Sequence, residues 1–246
     1  MNVSSGELYG KGCFTTIAIH NKIPFLWDKH WVRLTRDSEK IGVDMSSHNE
    51  KLVLTALRKA VRDRGIVDGR ARISFLDQRP AGIWPGTATV NTKMSIITAP
   101  RRPMPTKFSI TASPYKVNTD SPLVGVKSCN YLENLLGIDE ARSRGFHEGI
   151  RINDRGAMTG GCMANMYWLK GGVLCTPLLD TGCMPGTTRE YVLENLHCEE
   201  VRMPIDTLTA VDAIFFSSAG LGVIRVNDLD NRTFDPIDHP ILHLIP

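Results

Sequence analysis

The stretch Val126-Lys-Ser-Cys-Asn-Tyr131, followed by Leu132-Glu-Asn-Leu-Leu136, places one lysine among uncharged neighbours and four residues before an aromatic hydroxyl. A lysine that is partly shielded from water loses some of its preference for the charged form, so its amine becomes available as a nucleophile or base. A lysine that forms a Schiff base requires this property. A lysine at the start of a helix, with its amine in solvent, fits the same residues. The rest of the chain therefore has to decide the role of Lys127.

Composition and charge indicate an ordinary globular protein. The 246 residues are 42% hydrophobic and 22% charged, with a net charge of +3, and this length fits one large domain or two small ones. The charge is mild and forms no basic stripe, so we expect no nucleic-acid partner. No apolar run approaches the roughly 20 residues that a membrane helix needs. The N-terminus shows no signal-peptide pattern, so we expect a cytoplasmic protein without a membrane partner.

The cysteines and histidines predict neither a disulfide framework nor a metal site. Six cysteines are spread through the chain without a C-x-x-C pair, which favours reduced, buried thiols. The close histidine pair, His239 and His243, is separated by Pro240. We therefore expect no bound metal.

Hydrophobic periodicity and turn residues predict two α/β lobes, at residues 1–105 and 106–246, with Lys127 in the second. Pro100-Arg-Arg-Pro-Met-Pro105 is the predicted linker, because three prolines disfavour both helix and interior strand. In the first lobe we predict strands at 13–19, 23–27, 70–76 and 87–99. Its helices are predicted at 28–41, capped by Asp28, and at 47–64, with a capping box of Ser47 and Glu50. In the second lobe we predict helices at 130–145 and 187–197 and strands at 107–113, 148–153, 163–169, 173–175, 199–204, 213–217 and 222–226.

Three local patterns are candidate anion sites, each with a plain structural alternative. Arg33 lies beside the apolar stripe of its helix, near the boundary of the core. Its guanidinium could bind an anion there, or it could extend along the stripe into solvent. Thr187 and Thr188 open a helix after Pro185-Gly186, and backbone N–H groups at such a start can bind an anion, although a simple capped helix fits as well. Ser217-Ser-Ala-Gly220 offers hydroxyls and small residues to a closely approaching phosphate.

Five blocks accompany Lys127 in a fixed order: Tyr9-Gly-Lys-Gly-Cys-Phe-Thr-Thr16, His30-Trp-Val-Arg-Leu34, Gly156-Ala-Met-Thr-Gly-Gly-Cys-Met-Ala-Asn-Met-Tyr-Trp168, Thr176-Pro-Leu-Leu-Asp180 and Met184-Pro-Gly-Thr-Thr-Arg-Glu190. In this order they resemble the class IV (fold-type IV) pyridoxal-phosphate enzymes, from Tyr9 to about Gly222. That family includes branched-chain aminotransferases, D-amino acid aminotransferases and aminodeoxychorismate lyases. The resemblance implies an α+β, D-amino acid aminotransferase-like fold of two α/β lobes, with pyridoxal 5′-phosphate between them in a homodimer.

The resemblance also implies a role for each site residue. Lys127 would form the Schiff base with the cofactor and later move a proton between Cα and C4′ of the adduct, and Tyr131 would hydrogen-bond the phenolic oxygen. Thr16 would face the substrate, and Asn165 would brace the site. The phosphate would be held by Arg33, Thr187, Thr188, Ser218 and Ala219.

Gly160 departs from the family pattern. The family carries a glutamate here, which pairs with the pyridine nitrogen, whereas this chain has Thr159-Gly160-Gly161. Losing one charge-assisted hydrogen bond of about 1.5–3 kcal/mol would slow the reaction by roughly one to two powers of ten. Lys11 also stands where many relatives have an aspartate between glycines.

The motifs leave three functions open. Gly12-Cys-Phe-Thr-Thr16 and Gly161-Cys-Met-Ala-Asn-Met-Tyr-Trp168 resemble the lyase branch, which releases p-aminobenzoate and pyruvate and would place the chain in folate biosynthesis. Asn130-Tyr131 resembles the transaminase branch, which acts on branched-chain or D-amino acids. Gly160 raises a third possibility, a paralogue that binds the cofactor but has weak or lost catalysis.

Overall fold

The structure is a computed structural model that describes residues 3–81 and 91–245. The chain divides into two compact units. The first comprises residues 1–102 and 126–131, and the second comprises residues 103–125 and 132–246. The first change of unit falls between Arg102 and Pro103, inside the proline-rich stretch 100–105 that the sequence marks as a linker.

The first unit is built on an antiparallel sheet. Its described elements are α1 (Ser5–Tyr9), β1 (Gly12–His20), β2 (Ile23–Pro24), α2 (Trp27–Ile41), α3 (Glu50–Asp63), β3 (Gly69–Asp77) and β4 (Thr92–Pro100). The strand order is β2-β1-β3-β4. β-Branched and aromatic residues dominate β1, and the buried residues Ala71, Ile73 and Phe75 recur at every second position of β3, which suits strands packed on one side.

Alternation along β1 gives the sheet two chemically different faces. Cys13, Ile17 and Ile19 are buried in a core with Leu34 of α2 and Leu57 of α3. Phe14, Thr16 and Ala18 alternate with the residues of that face and lie on the other face of the sheet. In register with β3, Phe14 lies opposite Ser74 and Thr16 opposite Arg72.

The segment Val126–Tyr131 belongs to the first unit, whereas the sequence prediction assigned it to the second lobe, 106–246. The backbone of this segment pairs with β1. The amide of Phe14 donates to the carbonyl of Lys127 at 2.9 Å, and the amide of Cys129 donates to the carbonyl of Gly12 at 2.7 Å. The lysine is thus fixed on the sheet of the first unit by main-chain bonds that local sequence pattern does not reveal.

The second unit contains two five-stranded sheets, ordered β10-β9-β8-β11-β12 and β14-β13-β5-β6-β7. Large apolar side chains such as Trp168, Phe216 and Ile150 fill the core of this unit. Its described helices and strands are β5 (Ser109–Ala112), α4 (Leu132–Ser143), β6 (Glu148–Ile152), β7 (Met158–Gly161), β8 (Asn165–Lys170), β9 (Val173–Pro177), α5 (Thr187–Asn195), β10 (Glu199–Val201), β11 (Ala213–Ser218), β12 (Gly222–Arg225), β13 (Asp228–Leu229) and β14 (Arg232–Thr233).

Two helix starts differ from the sequence prediction. α2 begins one residue before Asp28, after Leu26 in a left-handed conformation (φ 56°), so the predicted strand 23–27 shortens to two residues. α3 is capped by Asn49, whose side chain accepts from the amide of Leu52 at 3.0 Å. The capping box predicted for Ser47 and Glu50 does not form among the described residues. The hydroxyl of Ser47 instead hydrogen-bonds Nδ1 of His48 at 3.0 Å.

The remaining differences concern short elements. β7, β13 and β14 have two to four residues, too few for alternation to predict them. The predicted strand 87–99 is observed from Thr92, and residues 87–90 lie outside the described residues. Within 3–81 and 91–245, no helix is long and apolar enough to cross a membrane.

Candidate active site

Lys127 lies between two aromatic rings in the first unit. Its Nζ is 4.7 Å from the ring centroids of both Phe14 and Tyr131, and it donates a hydrogen bond to the Tyr131 hydroxyl at 3.2 Å. The two rings themselves meet edge to face at 5.2 Å. This arrangement holds an amine beside a phenolic hydroxyl in a largely apolar setting.

The setting makes Lys127 an unusual lysine. The pKa of Lys127 is lowered from 10.5 to about 7, mainly by loss of solvation and then by the nearby cations of Arg33 and Arg72, whereas the carboxylate of Asp37 acts in the opposite direction. About half of the amines are then neutral at pH 7, so the group can act as nucleophile and base without a strong activating partner.

Helix α2 brings three polar side chains to the lysine segment. His30, Arg33 and Asp37 follow one another at i, i+3 and i+7, which places them on one helical face, and all three are buried. Asp37 Oδ2 accepts the backbone amide of Lys127 at 2.9 Å. Arg33 Nη2 donates to the hydroxyl of Thr15 on β1 at 2.6 Å.

Thr16, the predicted substrate contact, lies on the opposite face of β1 from Thr15. It shares that face with Phe14 and with Arg72, whose guanidinium carbon is 3.5 Å from the centroid of the Phe14 ring. The half-buried Thr16 is thus on the face that carries the lysine amine, as a substrate contact requires.

In the second unit, Asn165 braces the turn before α5. It begins β8, and its Nδ2 donates to the carbonyl of Met184 at 2.8 Å. A Cβ at Gly186, the N-cap of α5, would overlap Oδ1 of Asn165, so the amide can pack there because position 186 has no side chain. Thr187 and Thr188 then open the nine-residue helix and are both buried.

The serine block lies beside the same turn. Ser217 pairs with Asn165 across β11 and β8, and its hydroxyl bonds that of Tyr167 at 3.0 Å. The hydroxyl of Ser218 accepts the amide of Leu221 at 3.2 Å, in the turn that contains Ala219. The second unit thus gathers Asn165, the start of α5 and the serine turn at one end of its sheet.

Gly160 supplies no carboxylate, and its backbone is adapted to glycine. Its φ is +143°, and a Cβ would lie 3.3 Å from the carbonyl oxygen of Ala164. The buried carboxylate of Glu148 is close by, but it accepts the amides of Gly149, Cys162 and Met163 at 2.9, 2.9 and 3.2 Å. Its bonds hold the 161–163 turn, so Glu148 has a structural task of its own.

Several residues that shape the site were missed at the sequence level: Phe14, Thr15, Asp37 and Arg72. Helical spacing from Arg33 was a usable signal for Asp37. Strand alternation was a signal that Thr15 and Thr16 face opposite ways. Phe14 and Arg72 carry no local pattern that distinguishes them from other strand residues.

Among the described residues no group of histidine, cysteine, aspartate and glutamate is arranged to hold a metal ion. All six thiols are free, and burial raises the pKa of each of them, that of Cys183 to about 11.

Comparison with known proteins identifies the class. The family described as amino-transferase class IV matches residues 12–229. The chain is 28% identical over 240 residues to an aminodeoxychorismate lyase of Bacillus subtilis (strain 168), covering 93% of this chain and 81% of that protein. It is 30% identical over 242 residues to a D-alanine aminotransferase of Bacillus licheniformis, covering 93% and 82%. The crystal structure of a branched-chain aminotransferase from Thermoproteus uzoniensis with norvaline superposes with a TM-score of 0.89, at 25% identity over 98% of this chain and 85% of that one.

The fold and these similarities define a pyridoxal 5′-phosphate-dependent enzyme of the lyase and aminotransferase type. The chain belongs to the class IV aminotransferase family. The fold-type IV, D-amino acid aminotransferase-like fold expected from the sequence is confirmed.

The side chains present fit this cofactor at two of its three polar groups. A lysine of lowered pKa beside a tyrosine hydroxyl suits the aldehyde and the neighbouring phenolic oxygen. A buried arginine and a buried helix start with threonines suit a phosphate. At the ring nitrogen, position 160 offers no acid. The individual site assignments made from the sequence stay predictions.

Proposed function

We propose that the chain is an aminodeoxychorismate lyase-like enzyme that releases p-aminobenzoate and pyruvate. The observation that carries the proposal is Lys127, an amine with a pKa of about 7 held 3.2 Å from a tyrosine hydroxyl. The similarity to a lyase over 93% of the chain and the Gly12-Cys-Phe-Thr-Thr16 block support this branch.

In this proposal Lys127 removes the proton from the substrate carbon that bears the amino group. A pKa near 7 lets the neutral amine accept that proton and return it within one turnover at neutral pH. Tyr131 keeps the amine in place through its hydroxyl. As that proton is lost, the C–O bond at the adjacent ring carbon breaks and the ring becomes aromatic. Enolpyruvate leaves with the electron pair of that bond, and the proton, returned to it, gives pyruvate.

The phosphate of the cofactor is assigned to charged and polar side chains and to main-chain N–H groups. Arg33 offers a planar fork that is suited to a phosphate. Thr187 and Thr188 offer backbone N–H groups at a helix start, and Ser218 and Ala219 offer a tight turn. Pyridoxal 5′-phosphate, when bound, supplies an aldehyde for the amine and a ring that takes up electrons released at the substrate carbon. That these groups meet on one cofactor stays a prediction.

A class IV aminotransferase acting on branched-chain or D-amino acids is the second candidate. The sequence pair Asn130-Tyr131 favours it, since this pair resembles that branch, whereas the Lys127–Tyr131 hydrogen bond suits either reaction. The same lysine would then return its proton to a different carbon, and an amino group would pass to a keto acid. The 30% identity to a D-alanine aminotransferase supports this candidate.

Gly160 favours a third candidate, a cofactor-binding paralogue with weak or lost catalysis. Its positive φ shows a backbone that accommodates glycine rather than the glutamate of the family pattern. Without that acid the ring takes up electrons less readily, which would slow either reaction.

We also propose that the chain is a cytoplasmic homodimer. Helix α4 buries Gly137, Ile138 and Ala141 but exposes Leu132, Leu135 and Leu136, which are 60%, 46% and 48% accessible. Contiguous exposed leucines mark an interaction surface more often than a solvated one. Sedimentation equilibrium of the chain and of Leu132→Lys would test this, with a dimer expected to weaken in the variant.

One set of assays separates the three functions. Purified protein is mixed with pyridoxal 5′-phosphate and then assayed with aminodeoxychorismate and, in parallel, with D-alanine or branched-chain amino acids and a keto acid. Release of p-aminobenzoate supports the lyase, and amino transfer supports the aminotransferase. A visible absorption band without either activity supports the paralogue. Lys127→Ala should abolish the band. Lys170→Ala, which changes an exposed lysine at the end of β8, should keep it.

A further inference from the structure

Two adjacent threonines of β1 have different surroundings. Thr16 shares a face with Phe14, but Thr15 is fully buried against α2. The hydroxyl of Thr15 lies 2.6 Å from Nη2 of Arg33 and 2.6 Å from Nδ1 of His30, both of which are buried as well. One hydroxyl therefore contacts the cation assigned to the phosphate and an imidazole at the same time.

The chemistry of the three groups fixes the direction of both hydrogen bonds. A guanidinium has donors only, so the oxygen of Thr15 accepts from Arg33. Among the described residues, the polar partners of this hydroxyl are Arg33 and His30. A buried hydroxyl proton without an acceptor costs free energy, so the proton points to Nδ1 of His30. The imidazole is then neutral, with its own proton on Nε2.

The electrostatic surroundings agree with a neutral ring. Burial lowers the pKa of His30 well below its usual value, and the charges of Arg33 and Lys127 lower it further. A protonated His30 would place a third cation beside these two.

We propose that Thr15 is a positioning residue, whose hydroxyl holds the Arg33 guanidinium in place for a phosphate monoester and selects the Nε2–H tautomer of His30. The inference rests on the proposed role of Arg33 in holding the cofactor phosphate. Arginine has many side-chain rotamers, and a hydrogen bond made before the ligand arrives reduces the entropy lost on binding. Threonine suits the task better than serine, because a β-branched side chain in a strand is restricted about χ1.

The test compares affinity for pyridoxal 5′-phosphate with affinity for pyridoxal, which lacks the phosphate. The proteins are the full chain and its Thr15→Val, Thr15→Ser and Arg33→Met variants. Thr176→Val serves as the control, since it also removes a fully buried threonine hydroxyl, one that bonds the carbonyl of Met166 at 2.9 Å. Dissociation constants are measured by quenching of protein fluorescence, and folding is checked by circular dichroism.

Thr15→Val should weaken binding of pyridoxal 5′-phosphate about tenfold or more while leaving pyridoxal binding nearly unchanged, because only the phosphate uses Arg33. Thr15→Ser, which keeps the hydroxyl, should lose less affinity for pyridoxal 5′-phosphate than Thr15→Val. Thr176→Val should change the affinity for neither compound. A purely structural role for Thr15 would weaken binding of both compounds alike, and this result would overturn the inference.

Two further outcomes separate this inference from the proposed function. If Arg33→Met abolishes the preference for the phosphate compound but Thr15→Val retains it, the inference fails and the role of Arg33 stands. If the unmodified chain shows no preference for the phosphate compound, the role of Arg33 itself fails. Imidazole ¹⁵N spectra of the unmodified chain provide a readout even where a variant does not fold. A protonated Nδ1 on His30 at pH 7 would also overturn the inference.

Discussion

Replacing Arg72 by methionine should raise the pKa of Lys127. The guanidinium carbon of Arg72 lies 3.5 Å from the Phe14 ring centroid, and Nζ of Lys127 lies 4.7 Å from the same centroid, so the two cations are at most about 8 Å apart. Repulsion between them disfavours the charged form of the lysine, and Arg72 is one of the groups that lower its pKa.

The magnitude follows from Coulomb's law. Two unit charges about 8 Å apart repel by about 2 kcal/mol at an effective dielectric constant of about 20, and by about 0.5 kcal/mol in bulk water. Since one pKa unit corresponds to about 1.36 kcal/mol, removing the charge should raise the pKa of Lys127 by roughly 0.4 to 1.5. A rise of about one would reduce the neutral fraction at pH 7 from about half to about a tenth.

The assay is the initial rate at which a visible absorption band grows when pyridoxal 5′-phosphate is mixed with cofactor-free protein, measured between about pH 6 and 9. The unmodified chain should show a midpoint near pH 7, and Arg72→Met should shift it upward. Arg72→Lys keeps the charge and should shift it little. Arg70→Met is the matched control, because Arg70 lies two residues earlier on the same face of β3 and has no resolved effect on Lys127. An unchanged or lowered midpoint in a folded Arg72→Met protein would refute the electrostatic origin of the lowered pKa.

Three other predictions concern stability, measured as the free energy of unfolding in urea. The pKa of Lys127 is about 7 in the folded protein and 10.5 ordinarily, so between these values the unfolded chain binds more protons than the folded chain. The free energy of unfolding should therefore rise with pH across that window. Lys127→Met should lose this rise and be more stable than the unmodified chain near pH 6. Two substitutions, Gly160→Glu and Gly160→Ala, should each lower the free energy of unfolding by about 1–3 kcal/mol, because each places a side chain on a backbone with a φ of +143°. A Gly160→Glu protein that is more stable than the unmodified chain would show that this strain is absent. Glu148→Ala should cost about 2–3 kcal/mol, because it removes an acceptor from three amides, of which that of Cys162 keeps its bond to the carbonyl of Gly149. Glu148→Gln, which keeps one acceptor, should cost less.

The elements that carry strong periodicity were predictable. β1 and α2 are long enough for alternation and helical spacing to appear, and the end of α2 at Ile41 is marked by Gly42 in a left-handed conformation. Residues two apart in a strand, or three and four apart in a helix, share a face for geometric reasons. The sequence therefore indicates that Arg33 and Asp37 lie together, and that Thr15 and Thr16 do not.

Contacts between distant segments were not predictable from those periods. Asp37 accepts the amide of Lys127, ninety residues away along the chain. Nothing in the local pattern around either residue specifies that bond. The same bond explains why Lys127 belongs to the first unit although its position in the sequence suggests the second. The backbone of Gly160 is another such case, since a glycine is compatible with every φ and the sequence cannot show which one it adopts.

Helix α2 affects both the position and the protonation of the Lys127 amine. Asp37 fixes the backbone of Lys127 through a hydrogen bond, and its charge opposes the lowering of the lysine pKa. Arg33, one helical turn earlier, acts on the same pKa in the opposite direction. A bound phosphate would neutralise part of the Arg33 charge and so weaken its repulsion of the amine. On the proposed role of Arg33, occupation of the phosphate site would therefore raise the pKa of Lys127, and inorganic phosphate should shift the midpoint of the band-growth assay upward in the unmodified chain but not in Arg33→Met.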